Sequence, residues 1–201
     1  VNRNIEYLNK IQIYPEVLKK RENLNFKKDF YGKDISSPLI LSPMGHQTQF
    51  HKDGEIEMCK GINNYESISF FSTQSRIKLD DVRDKNKNAN LVYQIFLFGN
   101  KDWIKNEINR AERNKCLAIA ICVDASIRSF RYSDRESGYD ARKFGRRTLK
   151  EPPDPSKDLS YDWAIISWIK KQTSLPLIVK GLINVSDVEK CIDLGVNGIW
   201  I

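Results

Sequence analysis

Apolar residues in this chain gather in short runs that alternate with amphipathic stretches, and the alternation repeats six times. The runs are apolar throughout instead of at every second position, as in strands buried on both faces. They predict strands over Pro38–Ser42, Ser67–Phe71, Asn90–Phe98, Ala118–Val123, Leu175–Val179 and Val196–Ile201. Between them, Ile104, Ile108 and Ala111 fall at i, i+4 and i+7, one face of a helix. Ile56 and Cys59 mark the inner side of a more polar helix, and Lys78–Lys87 reads as a short charged one. Ile165, Trp168, Ile169 and Gln172 share a face of a helix around Asp162–Thr173. The final helix has Asn184 as N-cap, Asp187 three residues on, Val185, Val188 and Ile192 as its face, and Gly195 as its stop.

Two stretches lack a period. Residues 1–35 carry Ile11, Ile13, Tyr14, Val17 and Leu18 irregularly and read as a lead-in that packs against other elements, ending in a turn at Tyr31-Gly32-Lys33-Asp34. From Ala125 to Ser160 the chain is rich in Arg, Asp, Ser and Pro, and a loop that long is functional or disordered.

Alternating strands and helices fit either a doubly wound sheet or a (β/α)8 barrel. No G-x-G-x-x-G follows the first strand, which weakens the dinucleotide-fold option. Strand ends carry small or polar residues (Ser42, Ser72, Asp124, Lys180), as the mouth of a parallel barrel does. The expected fold is α/β, an incomplete (β/α)8 TIM barrel with about six of its eight units, forming one domain over 1–201 with a 125–160 loop insertion. A complete barrel takes ~250 residues. The chain starts without Met and stops inside a strand, so a piece of a longer protein is expected.

Composition narrows the function classes. Of 201 residues, 40% are apolar and 29% charged, ordinary for a soluble globular domain. No run approaches the ~20 apolar residues of a membrane span, and the N-terminus has no apolar signal core. The four scattered cysteines form no C-x-x-C pair and read as reduced thiols in the cytoplasm, without disulfide or metal site. The net charge of +7 is spread among acids except at Arg142–Arg147, so no nucleic-acid partner is expected; an anionic ligand stays open.

The residues at the strand ends carry a specific resemblance. Pro43-Met44-Gly45, Ser72, Tyr93-Gln94-Ile95-Phe96, Val123-Asp124, Arg131 and Leu175-Pro176-Leu177-Ile178-Val179-Lys180-Gly181, after an Asn2-Arg3-Asn4 lead-in, resemble the FMN-dependent α-hydroxy-acid oxidising enzymes. That resemblance implies oxidation of a 2-hydroxy acid to a 2-oxo acid by an FMN-bearing barrel, and a homo-oligomer for the full-length protein. It implies cofactor contacts from Pro43, Met44, Gly45, Ser72, Gln94, Cys122 and Lys180, and substrate contacts from Phe96 and Arg131. Each residue type suits its place. Gly45 lets backbone approach a ring closely; it also suits a plain turn. Ser72 has a hydroxyl to offer, although a strand-end serine equally caps a helix. The Gln94 amide both donates and accepts, and inside an apolar run it needs a partner. Lys180 is a fixed cation where charge would develop, or else a lysine reaching solvent. Arg131, seven residues after Asp124, can grip a carboxylate in bidentate fashion, with Arg128 as the fallback.

Three positions depart from the family pattern: Phe96 where a tyrosine is usual, Cys122 for a threonine, and Gln74 for a frequent tryptophan. No catalytic base is expected among these residues, because the family's histidine follows the sixth strand, beyond Ile201. His46 and His51 match no catalytic position. The chain alone is expected neither to turn over nor to hold FMN tightly. The alternative is a degenerate, non-catalytic barrel that binds FMN or a phosphate ligand; a type 2 isopentenyl diphosphate isomerase is disfavoured by Arg131.

Overall fold

The computed structural model describes residues 2–20, 24–125, 132–139 and 161–201. A hairpin of β1 (Lys28–Phe30) and β2 (Lys33–Ile35) precedes the main sheet. Its loop is Tyr31-Gly32, both at positive φ (50° and 80°), the backbone of a two-residue turn whose twist matches paired strands. Five parallel strands follow, paired in chain order: β3 (Ile68–Ser72), β4 (Asn90–Phe96), β5 (Ala118–Cys122), β6 (Leu177–Lys180) and β7 (Gly198–Trp200). Helices α2 (Gly54–Asn63), α3 (Leu79–Lys85), α4 (Lys101–Arg113), α6 (Ala164–Lys170) and α7 (Val185–Asp193) alternate with them, and α1 (Asn2–Lys10) and the short α5 (Tyr132–Glu136) are the other α-helices among the described residues.

The strand order decides between the two architectures. A doubly wound sheet reverses its order at a switch point and carries helices on both faces. Here the order never reverses. One face, with Phe71, Tyr93, Ile95, Ile119, Ile121, Leu177 and Val179, packs on helix residues including Leu79, Ile104, Ile108, Ile165, Ile169 and Cys191. The other, with Ile68, Phe70, Val92, Ala118, Ala120 and Ile178, meets among the described residues the hairpin's Ile35, Phe30 and Tyr31, with Leu117 and the ring of Trp200 at its edges. That is a singly wound wall with an outside and an inside, as in a barrel.

Packing follows the pattern closely at α4. Ile104, Ile108 and Ala111 are fully buried, each isoleucine contributing roughly 1.5–3 kcal/mol by burial. Asn100 caps the helix, its Oδ1 accepting from the Trp103 N–H at 2.9 Å. Beneath this face lies a polar pin. The buried Tyr93 hydroxyl donates to Glu107, Glu107 is gripped by Arg110, and Arg110 and Asn114 both reach Asp80 on α3. Burial, then the facing Glu107 carboxylate, holds the Tyr93 phenol well above its ordinary range.

Three expectations are corrected. The run Pro38–Ser42 is no full strand but a single bridge at Leu41, whose N–H donates to Ile68 O at 2.9 Å and whose O accepts from Phe70 N at 3.1 Å. Prolines at both ends lack the N–H a ladder needs, and Leu41 has one neighbouring strand. The lead-in packs only at its end: among the described residues α1 buries none and Ile11, Ile13, Tyr14, Val17 and Leu18 are exposed, whereas Phe30, Tyr31 and Ile35 of the hairpin pack on the inner sheet face. In α7 the inward face is Val188, Cys191 and Leu194, while Val185 and Ile192 are exposed. Its apolar residues Val185, Val188, Cys191 and Ile192 allow more than one inward face, and Cys191, a small hydrophobe, chooses the phase. Gly195 does end it, at φ +67°, whereas Asn184 turns its amide to Asp187 at 3.5 Å instead of capping backbone.

Candidate functional site

Register brings the sequence-expected residues to one edge. Ser72 stands opposite Gln94, and Phe96, Cys122, Lys180 and Trp200 align in the next row across β4 to β7. Because side chains alternate along a strand, these share the parity of Phe70, Val92, Ala120 and Ile178 and so lie on the inner face, at the carboxyl ends. A period of two, counted from the buried inner row, is what carries a serine, a glutamine and a lysine to the same rim.

The polar atoms there are knitted together and one is left over. Ser72 Oγ accepts from Gln74 N at 3.1 Å and from Gln94 Nε2 at 3.3 Å. Gln94 is 3% exposed, and its Oε1 is buried without a partner among the described residues. A buried amide oxygen left unpaired costs about 1–3 kcal/mol, so this acceptor could take one more donor. Thr73 ties the two strand ends: its N–H donates to Gln94 O at 2.9 Å, and its Oγ1 accepts from Phe96 N at 3.1 Å. The Phe96 ring stacks on Phe98, 5.2 Å between centroids and 7° from parallel.

Pro43-Met44-Gly45 passes beside this edge. A Cβ on Gly45 would meet Gln74 Cβ at 2.8 Å, so only glycine lets the loop lie against the end of β3. Gln47 Nε2 donates to Met44 O at 3.1 Å and fixes the turn. His46 follows at φ 61°, half-buried, with Nδ1 lacking a partner among the described residues. His51 is exposed, its Nδ1 accepting from Asp53 N at 3.2 Å.

On the opposite side, the Cys122 thiol donates to Asp124 Oδ1 at 2.7 Å, and Asp124 Oδ2 lies 3.9 Å from Lys180 Nζ. Burial first, then the Asp124 carboxylate, pushes the Cys122 thiol up to about 12, so it stays protonated as a donor. In the sequence Asp124 ends a strand and belongs to the family resemblance, with no contact assigned to its side chain. Its signal was available, since a carboxylate two residues past Cys122 repeats the strand's parity, but its partner Lys180 is distant in sequence. Arg131, Arg128 and the Arg142–Arg147 cluster lie outside the described residues. A groove of about 1050 Å³ lies between α3 and the start of α2, away from this rim, and its mixed Lys52, Asp53, Lys78, Asp81 and Lys85 lining is an open charged surface.

Comparison with known proteins gives the chain its place. The model of a family described as FMN-dependent dehydrogenase matches residues 1–201. Oxidase FUB9 of Gibberella fujikuroi is 30% identical over 93% of this chain and 52% of its own length. A peroxisomal (S)-2-hydroxyacid oxidase of Arabidopsis thaliana is 25% identical over 100% of this chain and 59% of its own. The chain thus spans about half the length of the curated relatives it matches. Among solved structures, a mandelate oxidase variant with (S)-mandelic acid superposes with a TM-score of 0.87 at 21% identity, covering 98% of this chain and 56% of that one. The wall of five parallel strands is therefore part of a (β/α)8 barrel, as the strand order indicated. No helix among the described residues is long and apolar enough to cross a membrane.

Proposed function

The chain belongs to the FMN-dependent dehydrogenase family, and from that premise we propose that its carboxyl-end rim holds FMN in an enzyme that oxidises a 2-hydroxy acid to a 2-oxo acid. The observation that carries this is the unpaired, buried Gln94 Oε1 beside Ser72 Oγ, on the same inner face as the Lys180 ammonium. An acceptor, a hydroxyl and a cation in that order suit a flat heteroaromatic with N–H and C=O groups along one edge. Gly45 leaves room for backbone to lie against the ring. FMN, when bound, supplies the two-electron acceptor for the substrate C–H and O–H.

The protein's own residues have separable roles in this reading. Gln94 and Ser72 hold the ring edge, with Pro43, Met44 and Gly45 along its flank and Cys122 at its rim. Lys180 stabilises charge that develops beside it. Arg131 holds the substrate carboxylate, and the residue that removes the proton lies outside this stretch. Phe96 and Gln74 shape the substrate space, favouring a larger or more apolar acid than the smallest members of the class. The relatives' names, 2-hydroxyacid oxidases of plants and mammals among them, support the substrate class.

The four free, buried thiols support a reducing compartment. Cytoplasmic residence is one such choice, and the peroxisomal relatives favour another. Assembly into a homo-oligomer belongs to the same proposal. A second reading, a barrel that binds FMN without turnover, draws on the Cys122 thiol and the Phe96 ring being engaged by Asp124 and Phe98. One experiment separates them. The protein expressed from its complete reading frame is loaded with FMN and mixed anaerobically with glycolate, lactate and mandelate. Bleaching of the flavin absorbance by one of them is expected. Tight FMN binding without bleaching by any 2-hydroxy acid supports the second reading, and no FMN binding removes both.

A further inference from the structure

The carboxyl end of β4 carries an apolar surface that neither core claims. Leu97 turns outward and packs on the helix-side core, while Phe96 and Phe98, one residue to either side of it, belong to neither cluster and are half-buried. Alternation places both on the inner side, past Gln94 and beside Cys122, the register partner of Phe96. Their rings lie 7° from parallel with 5.2 Å between centroids, so the pair forms one flat hydrocarbon step. That step is held from behind. Phe96 N donates to Thr73 Oγ1 at 3.1 Å, Phe98 N donates to Phe96 O at 2.9 Å, and the Tyr161 hydroxyl donates to Gly99 O at 2.6 Å. Gly99 lies under the Trp103 indole, where a Cβ would collide with the ring. The end of β3, the first turn of α4 and Tyr161 together fix the turn 96–99.

We propose that this two-ring step receives the substrate's side chain, that it favours a 2-hydroxy acid with an aryl group, and that Phe98 is the specificity-determining residue, with Tyr161 positioning it. The proposal rests on the reading that the rim holds FMN and oxidises a 2-hydroxy acid. An aryl ring laid on the step continues the offset stack already there, each ring's negative face over its neighbour's positive edge. A saturated ring of equal size gains burial without that alignment. A polar side chain placed against the step gives up its water and finds no hydroxyl in return, since both residues are phenylalanines. The step is formed before the ligand arrives, so an incoming ring has no protein side chain to order.

The test uses the FMN-loaded protein from its complete reading frame and compares kcat/KM for 3-phenyllactate, 3-cyclohexyllactate and lactate. Phenyllactate is expected to be used best. Phe98→Leu keeps an apolar side chain and removes the ring, and should lower the phenyllactate-to-lactate ratio roughly three- to tenfold. Tyr161→Phe frees Gly99 O and should lower the same ratio through KM. An unchanged ratio in Phe98→Leu overturns the proposal, as does cyclohexyllactate used as well as phenyllactate by the unsubstituted protein. Should Phe98→Leu not fold, Tyr161→Phe decides alone. If FMN does not bind, or no 2-hydroxy acid reduces it, the reading of the site fails separately, and the step is judged by saturation-transfer NMR with phenyllactate. Transfer to the ligand's ring protons that is lost in Phe98→Leu supports it; equal transfer in the two proteins, or none in either, sinks it.

Discussion

Replacing Gln94 by leucine is expected to leave the apoprotein as stable as before while removing much of its affinity for flavin. The side chain is 3% exposed, with Oε1 unpaired and Nε2 making a single long bond of 3.3 Å to Ser72 Oγ. Losing that bond costs about 0.5–1.5 kcal/mol, whereas relieving the stranded acceptor returns about 1–3 kcal/mol. Ser72 Oγ keeps its other donor, Gln74 N at 3.1 Å, so it is not orphaned in turn. Leucine has nearly the same volume, so neither cavity nor overpacking enters. The net change in unfolding free energy should lie within ~1 kcal/mol of zero, on the stabilising side. With flavin bound, the amide's two contacts at about 1 kcal/mol each translate into a Kd raised roughly 10- to 100-fold. Urea unfolding without FMN measures the first quantity, and quenching of flavin fluorescence the second. A variant destabilised by more than ~2 kcal/mol with unchanged Kd would show Gln94 to be a structural amide.

Other outcomes follow from the same contacts. Tyr93→Phe removes the hydroxyl that donates to Glu107 in a fully buried setting, and should lower stability by about 1.5–3 kcal/mol in urea unfolding; an unchanged midpoint would mean that Arg110 alone satisfies Glu107. Asn100→Ala deletes the cap on α4 and should cost about 1 kcal/mol, seen as faster amide exchange in the first turn of that helix. Alkaline pH should destabilise the fold. Burial raises the thiols of Cys59 to about 11 and Cys116 to about 12, so the native state holds protons that the unfolded chain releases. The thiols' contribution is complete below about pH 8.5 and is lost as pH climbs toward 12, each adding a slope of at most ~1.4 kcal/mol per pH unit. Cys116→Ala should flatten the loss, and a profile of equal steepness in that variant would argue against it.

Much of the architecture could be read along the chain because its determinants are local. The α4 face and the strands from β3 to β6 are set by periods of 3.6 and by apolar runs, and burial agrees. What escaped depended on partners distant in sequence. Glu107 looks like a solvated helix residue until Tyr93 and Arg110 close over it. The phase of α7 is chosen by what lies beneath Cys191, a residue whose hydrophobicity is easy to undercount. Leu41 has the composition of a strand residue but only one neighbour to pair with. At the rim, the family resemblance points to Ser72, Gln94 and Lys180, strand ends and residue type suit it, and parity puts the three on one face. Asp124 was undervalued, since its meaning comes from Lys180 and Gly181, more than 50 residues later.

The central claim is that one flavin lies across the carboxyl ends of β3 to β6, on the inner face. Backbone amide resonances followed by NMR during an FMN titration test it directly. The expected result is saturable movement at Ser72, Thr73, Gln94, Phe96, Cys122 and Lys180, with Cys59, Ile108 and Cys191 on the helix side unmoved. Movement confined to the charged groove around Lys52, Lys78 and Lys85, or none at Gln94, would contradict it.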